Sequence, residues 1–133
     1  MDPVADPTST DPLTWVKVAA RAAAAKTDEP TVVIDVGAVL AVTGWFVITG
    51  AANTRLVRAL VAEVELKVAE AGGPKPRRIE GGDTNRWVLL DYGDFVVHVF
   101  LAEERDYYEL ERLWSDVPRV DWQAVAAEAA VGE

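Results

Sequence analysis

Residues 87–114 read WVLLDYGDFVVHVFLAEERDYYELERLW, and this stretch decides the fold. Trp87 to Asp91 and Phe95 to Phe100 are apolar, β-branched and aromatic runs separated only by Tyr92-Gly93-Asp94. So short a connection with a central glycine predicts an antiparallel hairpin. Period-two alternation places Trp87, Leu89 and Asp91 on one face of the first strand, and Val88, Leu90 and Tyr92 on the other. An amphipathic helix is expected over Ala102 to Trp114, with Tyr107, Leu110, Leu113 and Trp114 packed inward and Glu and Arg facing water. The stretch contains every aromatic residue type and the only histidine, His98, but no catalytic set.

Upstream, Asp11-Pro12 is a helix start, an Asp N-cap with proline at the first helical position. Leu13, Val16, Ala20, Ala23 and Ala24 recur at helical spacing, and the segment runs to about Lys26. Thr31 to Val36 and Trp45 to Thr49 are β-branched enough to be strands. Gly50-Ala51-Ala52-Asn53 has the composition of a strand-to-helix turn, capped by Asn53 or Thr54. Leu56, Val57, Leu60, Val61, Val64 and Val68 trace the apolar face of the next helix, which Gly72-Gly73 ends. Residues 74–86 are expected to form a loop with a short edge strand around Arg78 to Glu80. The order α-β-β-α-β-β-α defines an α/β fold, a single compact domain with a mixed β-sheet flanked by helices. Its expected limits are a flexible segment over 1–12, the domain over 13–120 and an acidic tail over 121–133, with a weak helix over Gln123 to Val131.

The chain has 133 residues, half of them hydrophobic, which suits one domain with one core. The absence of cysteine excludes disulfides, thiolate nucleophiles and zinc fingers. The opening MDPVADPTST is neither basic nor apolar, and the apolar runs fall short of the ~18 residues a membrane span needs. A soluble cytoplasmic protein with no membrane partner is expected. Residues 87–133 hold eleven acidic and three basic side chains, a net −8 within a total of −9. Such a surface repels phosphate backbones, so no extensive direct nucleic-acid contact is expected, and it would steer a basic protein towards itself.

Catalysis is poorly supported. No serine sits in a nucleophile-elbow setting, and His98 has neither an orienting partner nor further metal ligands at the right spacing. Asp91 and Asp94, with a helix N-terminus after Gly50, could form a crude magnesium and phosphate site of a nucleotidyltransferase. The carboxylates are not at i and i+2 on one strand face, however, and aspartates flanking a turn commonly cap it. No cofactor and no metal are expected. Trp87 has two open readings, a core residue or the centre of a protein-binding hot spot beside an acidic rim.

Trp87 to Asp94, Val97-His98-Val99-Phe100, Arg105, Tyr108, Leu110-Glu111 and Leu113-Trp114 together resemble the ribosomal silencing factor (RsfS, Iojap) family. Asp35-Val36, Phe46 to Gly50 and the helix from Asn53 follow the same order, so the resemblance covers about residues 13–120. It implies a nucleotidyltransferase-like fold without established transferase activity, and hence not an enzyme. It also implies a translational repressor that binds the large ribosomal subunit at its L-fourteen-family protein, sterically blocks the small subunit, and lowers translation when nutrients are short. Relatives also have roles in large-subunit maturation, and a homodimer is implied for the free protein. The family's ribosome-facing tryptophan matches Trp87, and Leu89, Asp91 and Tyr92 are carried over with it. Two positions depart from the family pattern: Gly44 stands where an aspartate is usual, and Ala52 where a serine is usual. Both remove polar groups from the nucleotidyltransferase-like region. Burying one Trp and one Leu supplies on the order of 3–5 kcal/mol before association costs.

Overall fold

A computed structural model describes residues 11–123 of the chain. Residues 1–10 and 124–133, which carry most of the expected flexible segment, tail and terminal helix, lie outside the described residues. Helix α1 spans Pro12–Ala24. Asp11 starts it, its Oδ1 accepting from the Leu13 amide at 3.0 Å, and Pro12 sits where the amide hydrogen would be unpaired anyway. Helix α2 spans Thr54–Glu70 and begins at Asn53, whose Oδ1 accepts from the Leu56 amide at 2.8 Å. It ends in a Schellman turn: the Gly73 amide donates to Val68 O at 2.8 Å and the Gly72 amide to Ala69 O at 3.0 Å. Gly72 has φ +91°, and a Cβ at Gly73 would lie 2.6 Å from Val68 Cγ1, so this turn needs both glycines.

Five strands form one sheet in the order β1-β2-β5-β4-β3. They are β1 (Val32–Asp35), β2 (Trp45–Ala51), β3 (Arg78–Glu80), β4 (Trp87–Asp91) and β5 (Phe95–Leu101). The central β2–β5 pair is parallel and the other pairs are antiparallel, which makes the sheet mixed as expected. Both long helices cover one face. Val16 of α1 and Leu60 and Val64 of α2 join Val47, Leu90, Val97 and Val99 in the main core, all of them fully buried. Fully buried Ala19, Ala20 and Ala23 keep α1 slim where it meets this core.

The opposite face carries a smaller cluster of Ile34, Ile48 and Phe100, with Phe46, Trp87, Leu110 and Trp114 packed against it. Its cover corrects the expected continuous helix over 102–114. Two short helices, α3 (Ala102–Tyr108) and α4 (Leu110–Leu113), meet at Glu109, which is left-handed at φ 50° and ψ 50°. Buried Arg105 explains the break. Its Nη1 donates to Pro30 O at 2.6 Å, while Nε and Nη2 donate to the two carboxylate oxygens of Glu111 at 3.2 and 2.7 Å. In an unbroken helix, residues six apart point about 120° away from each other and lie about 9 Å apart along the axis, so this fork could not close. The kink also turns outward two residues expected to pack, since Tyr107 is 78% and Leu113 75% exposed.

Strand β2 is longer than expected. Gly50 and Ala51 pair with Phe100 and Leu101, so Gly50 belongs to the sheet and not to a phosphate-cradling turn. Beyond α4 the chain returns along β1: Ile34 bridges Arg119, and the Val120 amide donates to Val33 O at 2.8 Å. Trp122, in the segment read as an acidic tail, packs against the core and donates from Nε1 to Thr31 O at 3.1 Å.

Candidate docking surface

The register of the β4–β5 hairpin sets Trp87 opposite Phe100, Leu89 opposite His98 and Asp91 opposite Val96, all on the face away from α1 and α2. Trp87 stacks on Phe100 with centroids 4.7 Å apart, and the Tyr108 ring lies 4.8 Å away on the cover. Its indole Nε1 donates to His98 Nδ1 at 3.2 Å. Trp87 is therefore half-buried and held in one orientation, with its remaining surface open.

His98 is only 5% exposed and meets Phe46 edge-on at 4.6 Å. Burial lowers its pKa from 6.5 to about 4, so the ring is neutral at pH 7. With Nδ1 accepting from Trp87, the single ring proton sits on Nε2. That Nε2 is buried without a hydrogen-bond partner, as is Thr43 Oγ1 nearby on the 40–43 loop. His98 is the anchor of Trp87, a role that its isolated position in the sequence hid. The signal was available in the three-residue turn, whose register puts positions 87 and 98 on neighbouring diagonals of one face.

Asp91 closes the same face. Its Oδ1 accepts from the Gly93 amide at 2.8 Å, so the carboxylate caps the turn, while Gly93 takes φ +87°. A Cβ at Gly93 would lie 2.8 Å from Arg77 Nη1, so the glycine also makes room for that guanidinium. Between β4 and the 40–43 loop lies a groove of about 340 Å³, bordered by Phe46, Leu89 and Val96, with Arg77, Asp91 and His98 also lining it. Arg77 and Thr43 were not picked out from the sequence, and Phe46 entered only as part of a strand and of the family-order segment, not as a site residue.

Tyr92 is placed elsewhere. It is 5% exposed in the helix-side core, stacked on Phe95 at 4.6 Å with the rings 10° from parallel. Burial, with a contribution from Glu65, pushes its hydroxyl pKa far above the ordinary value. The structure thus gathers Trp87, Leu89 and Asp91 on one face and separates Tyr92 from them. Asp94 is exposed beyond the turn, and among the described residues no group of three His, Asp or Glu side chains is placed to hold a metal ion.

Fold and face together define a small mixed-sheet α/β domain in which one sheet face is sealed by helices and the other is half open. Residues 9–133 match the family described as ribosomal silencing factor during starvation. Ribosomal silencing factor RsfS of Bacillus subtilis (strain 168) is 39% identical over 106 residues, covering 80% of this chain and 89% of that protein. A mouse protein named mitochondrial assembly of ribosomal large subunit protein 1 is 35% identical over 85 residues, 62% of this chain and 37% of its own length. The crystal structure of a Chromobacterium violaceum protein superposes with a TM-score of 0.74 at 31% identity, covering 80% of this chain and 88% of that one. A Bacillus halodurans structure gives 0.68 at 36% identity, covering 82% and 98%. The chain belongs to the ribosomal silencing factor family.

Proposed function

We propose that this protein represses translation by docking on the L-fourteen-family protein of the large ribosomal subunit, where its bulk blocks joining of the small subunit. The observation that carries the reading is the half-open face of Trp87, Leu89 and Asp91 on a chain of this family. Trp87 offers an aromatic anchor whose rotamer is already fixed by His98 and Phe100, so little side-chain entropy is lost on binding. The net −8 of residues 87–133 supplies charge complementary to a basic ribosomal protein and repels bare RNA. The mechanism is steric and needs no cofactor. The protein acts in the cytoplasm, and in its free state it is a homodimer, which sedimentation at varied concentration tests.

Co-sedimentation with purified large subunits tests the docking face. Wild type pellets with the subunits, whereas Trp87→Ala and Asp91→Lys stay in the supernatant with native circular dichroism. Pelleting of both folded variants at the wild-type level would remove this face from the mechanism.

A further inference from the structure

Of the large apolar side chains left exposed among the described residues, four lie on one track across the docking face: Val42, Tyr107, Tyr108 and Leu113. Val42 is 84% exposed and borders the groove beside β4 together with Leu89. Trp87 lies two residues from Leu89 on the same face of β4, about 7 Å along the strand. The Tyr108 ring is 4.8 Å from Trp87, and Tyr107 meets Tyr108 edge-on at 5.0 Å. Tyr107, Tyr108 and Leu113 then border a second groove, of about 420 Å³. The two charged residues there, Glu109 and Arg112, pair with each other at 3.0 Å. Both ends of the track are held in place. The Gly44 amide donates to Asp94 O at 2.8 Å and ties the loop to the β4–β5 turn, while the Arg105 fork fixes the cover. A connected row of exposed apolar side chains on fixed elements marks an interaction surface.

Charge decides what covers it. Residues 102–116, which form the cover end, hold six acidic and two basic side chains, a net −4. Residues 36–50, which include the loop at the other end, hold no charged residue. A second copy seated on the track would set the acidic cover either against its own duplicate or against the uncharged stretch, and in neither arrangement does it meet opposite charge. A basic protein gains attraction at the same place. We propose that the L-fourteen-family protein of the large subunit is bound along the whole track, one apolar projection seated in each groove and Trp87 and Leu89 between them. This rests on the docking reading above and deepens it. Val42 and Leu113 become binding residues, apolar contact supplies the affinity, and the acidic surroundings serve to steer the encounter.

Quantitative co-sedimentation of the full-length protein with purified large subunits tests it. Val42→Asn and Leu113→Asn remove apolar surface without adding charge, at positions exposed enough to leave the core untouched. Each should bind about tenfold more weakly and the double variant about a hundredfold, with the same loss at low and high salt because the lost contact is uncharged. Leu66→Asn, the same kind of change at an exposed site on α2, should bind as wild type does. Wild-type affinity of Val42→Asn and Leu113→Asn beside a defective Trp87→Ala would overturn the track and leave docking through Trp87 standing. Dissociation of a free dimer by either variant, with subunit binding unchanged, would assign the track to a second copy and overturn the proposal too. Wild-type affinity of Trp87→Ala as well would remove the docking reading and this inference with it.

Discussion

On one face of the sheet, Leu90, Val97 and Val99 meet α1 and α2 in a continuous apolar cluster. One residue along the same strands, on the other face, Trp87 meets the two-helix cover at Tyr108, while Leu89, Asp91 and His98 line an open groove. The first face is what a small domain needs to fold, because burial of aliphatic side chains is its main source of stability. The second contains a buried histidine with one unpaired nitrogen and a charged residue at the strand end, neither of which improves packing. A domain tolerates such costs where the surface serves something other than its own stability.

The sharpest way to break this contrast is to truncate adjacent residues on opposite faces. Leu90→Ala should cost about 2–5 kcal/mol in denaturant unfolding, because Leu90 is fully buried in the helix-side core. Arg105→Ala should cost about 3 kcal/mol, at the lower end for a broken buried pair because Glu111 is still 24% exposed. The same variant should let α3 and α4 detach, seen as increased amide exchange from Ala102 to Leu113.

The effect of pH is comparable and maps to the second face alone. In the folded protein His98 takes up a proton only near pH 4, whereas in the unfolded chain it does so near 6.5. Between those values the unfolded state binds more protons, so stability falls as pH is lowered through that window, by on the order of 3 kcal/mol in all. His98→Asn should flatten this part of the stability–pH curve, and an unchanged curve would show that another group is responsible. The smallest effect is expected for Leu89→Ala, under about 1 kcal/mol in unfolding, since Leu89 lies on the open face. Large-subunit pelleting of that variant should nonetheless weaken, and stability loss equal to that of Leu90→Ala would erase the distinction between the faces.

Much of the contrast was legible in the sequence, for reasons that are local. The glycine turn at 92–94 fixed the hairpin, and alternation then sorted Trp87, Leu89 and Asp91 from Val88, Leu90 and Tyr92. The helix α2, its Asn53 cap and its glycine stop followed from periodicity and turn chemistry, and β3 lies where a short edge strand was expected within the 74–86 loop. What could not be read depended on distant partners. Glu109 is not a residue type that announces a left-handed kink, and only the meeting of Arg105 with Pro30 and Glu111 imposes one. Gly50 resembled a turn glycine until parallel pairing with Phe100 absorbed it into β2. The groove needs the 40–43 loop folded over β4 and β5, and no spacing in the chain reveals that closure.

The parallel pairing at the centre of the sheet has a consequence for how the molecule is made. Trp45 lies opposite Phe95, so the two strands that hold the sheet together are separated by fifty positions of chain. Non-local pairings of this kind pay their loop-closure entropy before any contact rewards it, and they slow folding. During synthesis β1, β2 and both long helices emerge first, with β5 still to come. The β4–β5 hairpin, which carries Trp87, can form locally in microseconds and pair with the short β3, but it joins the rest of the sheet only when β5 inserts beside β2. The acquisition of a competent surface and the completion of the fold are thus one event, and a nascent chain halted before β5 cannot present half of it.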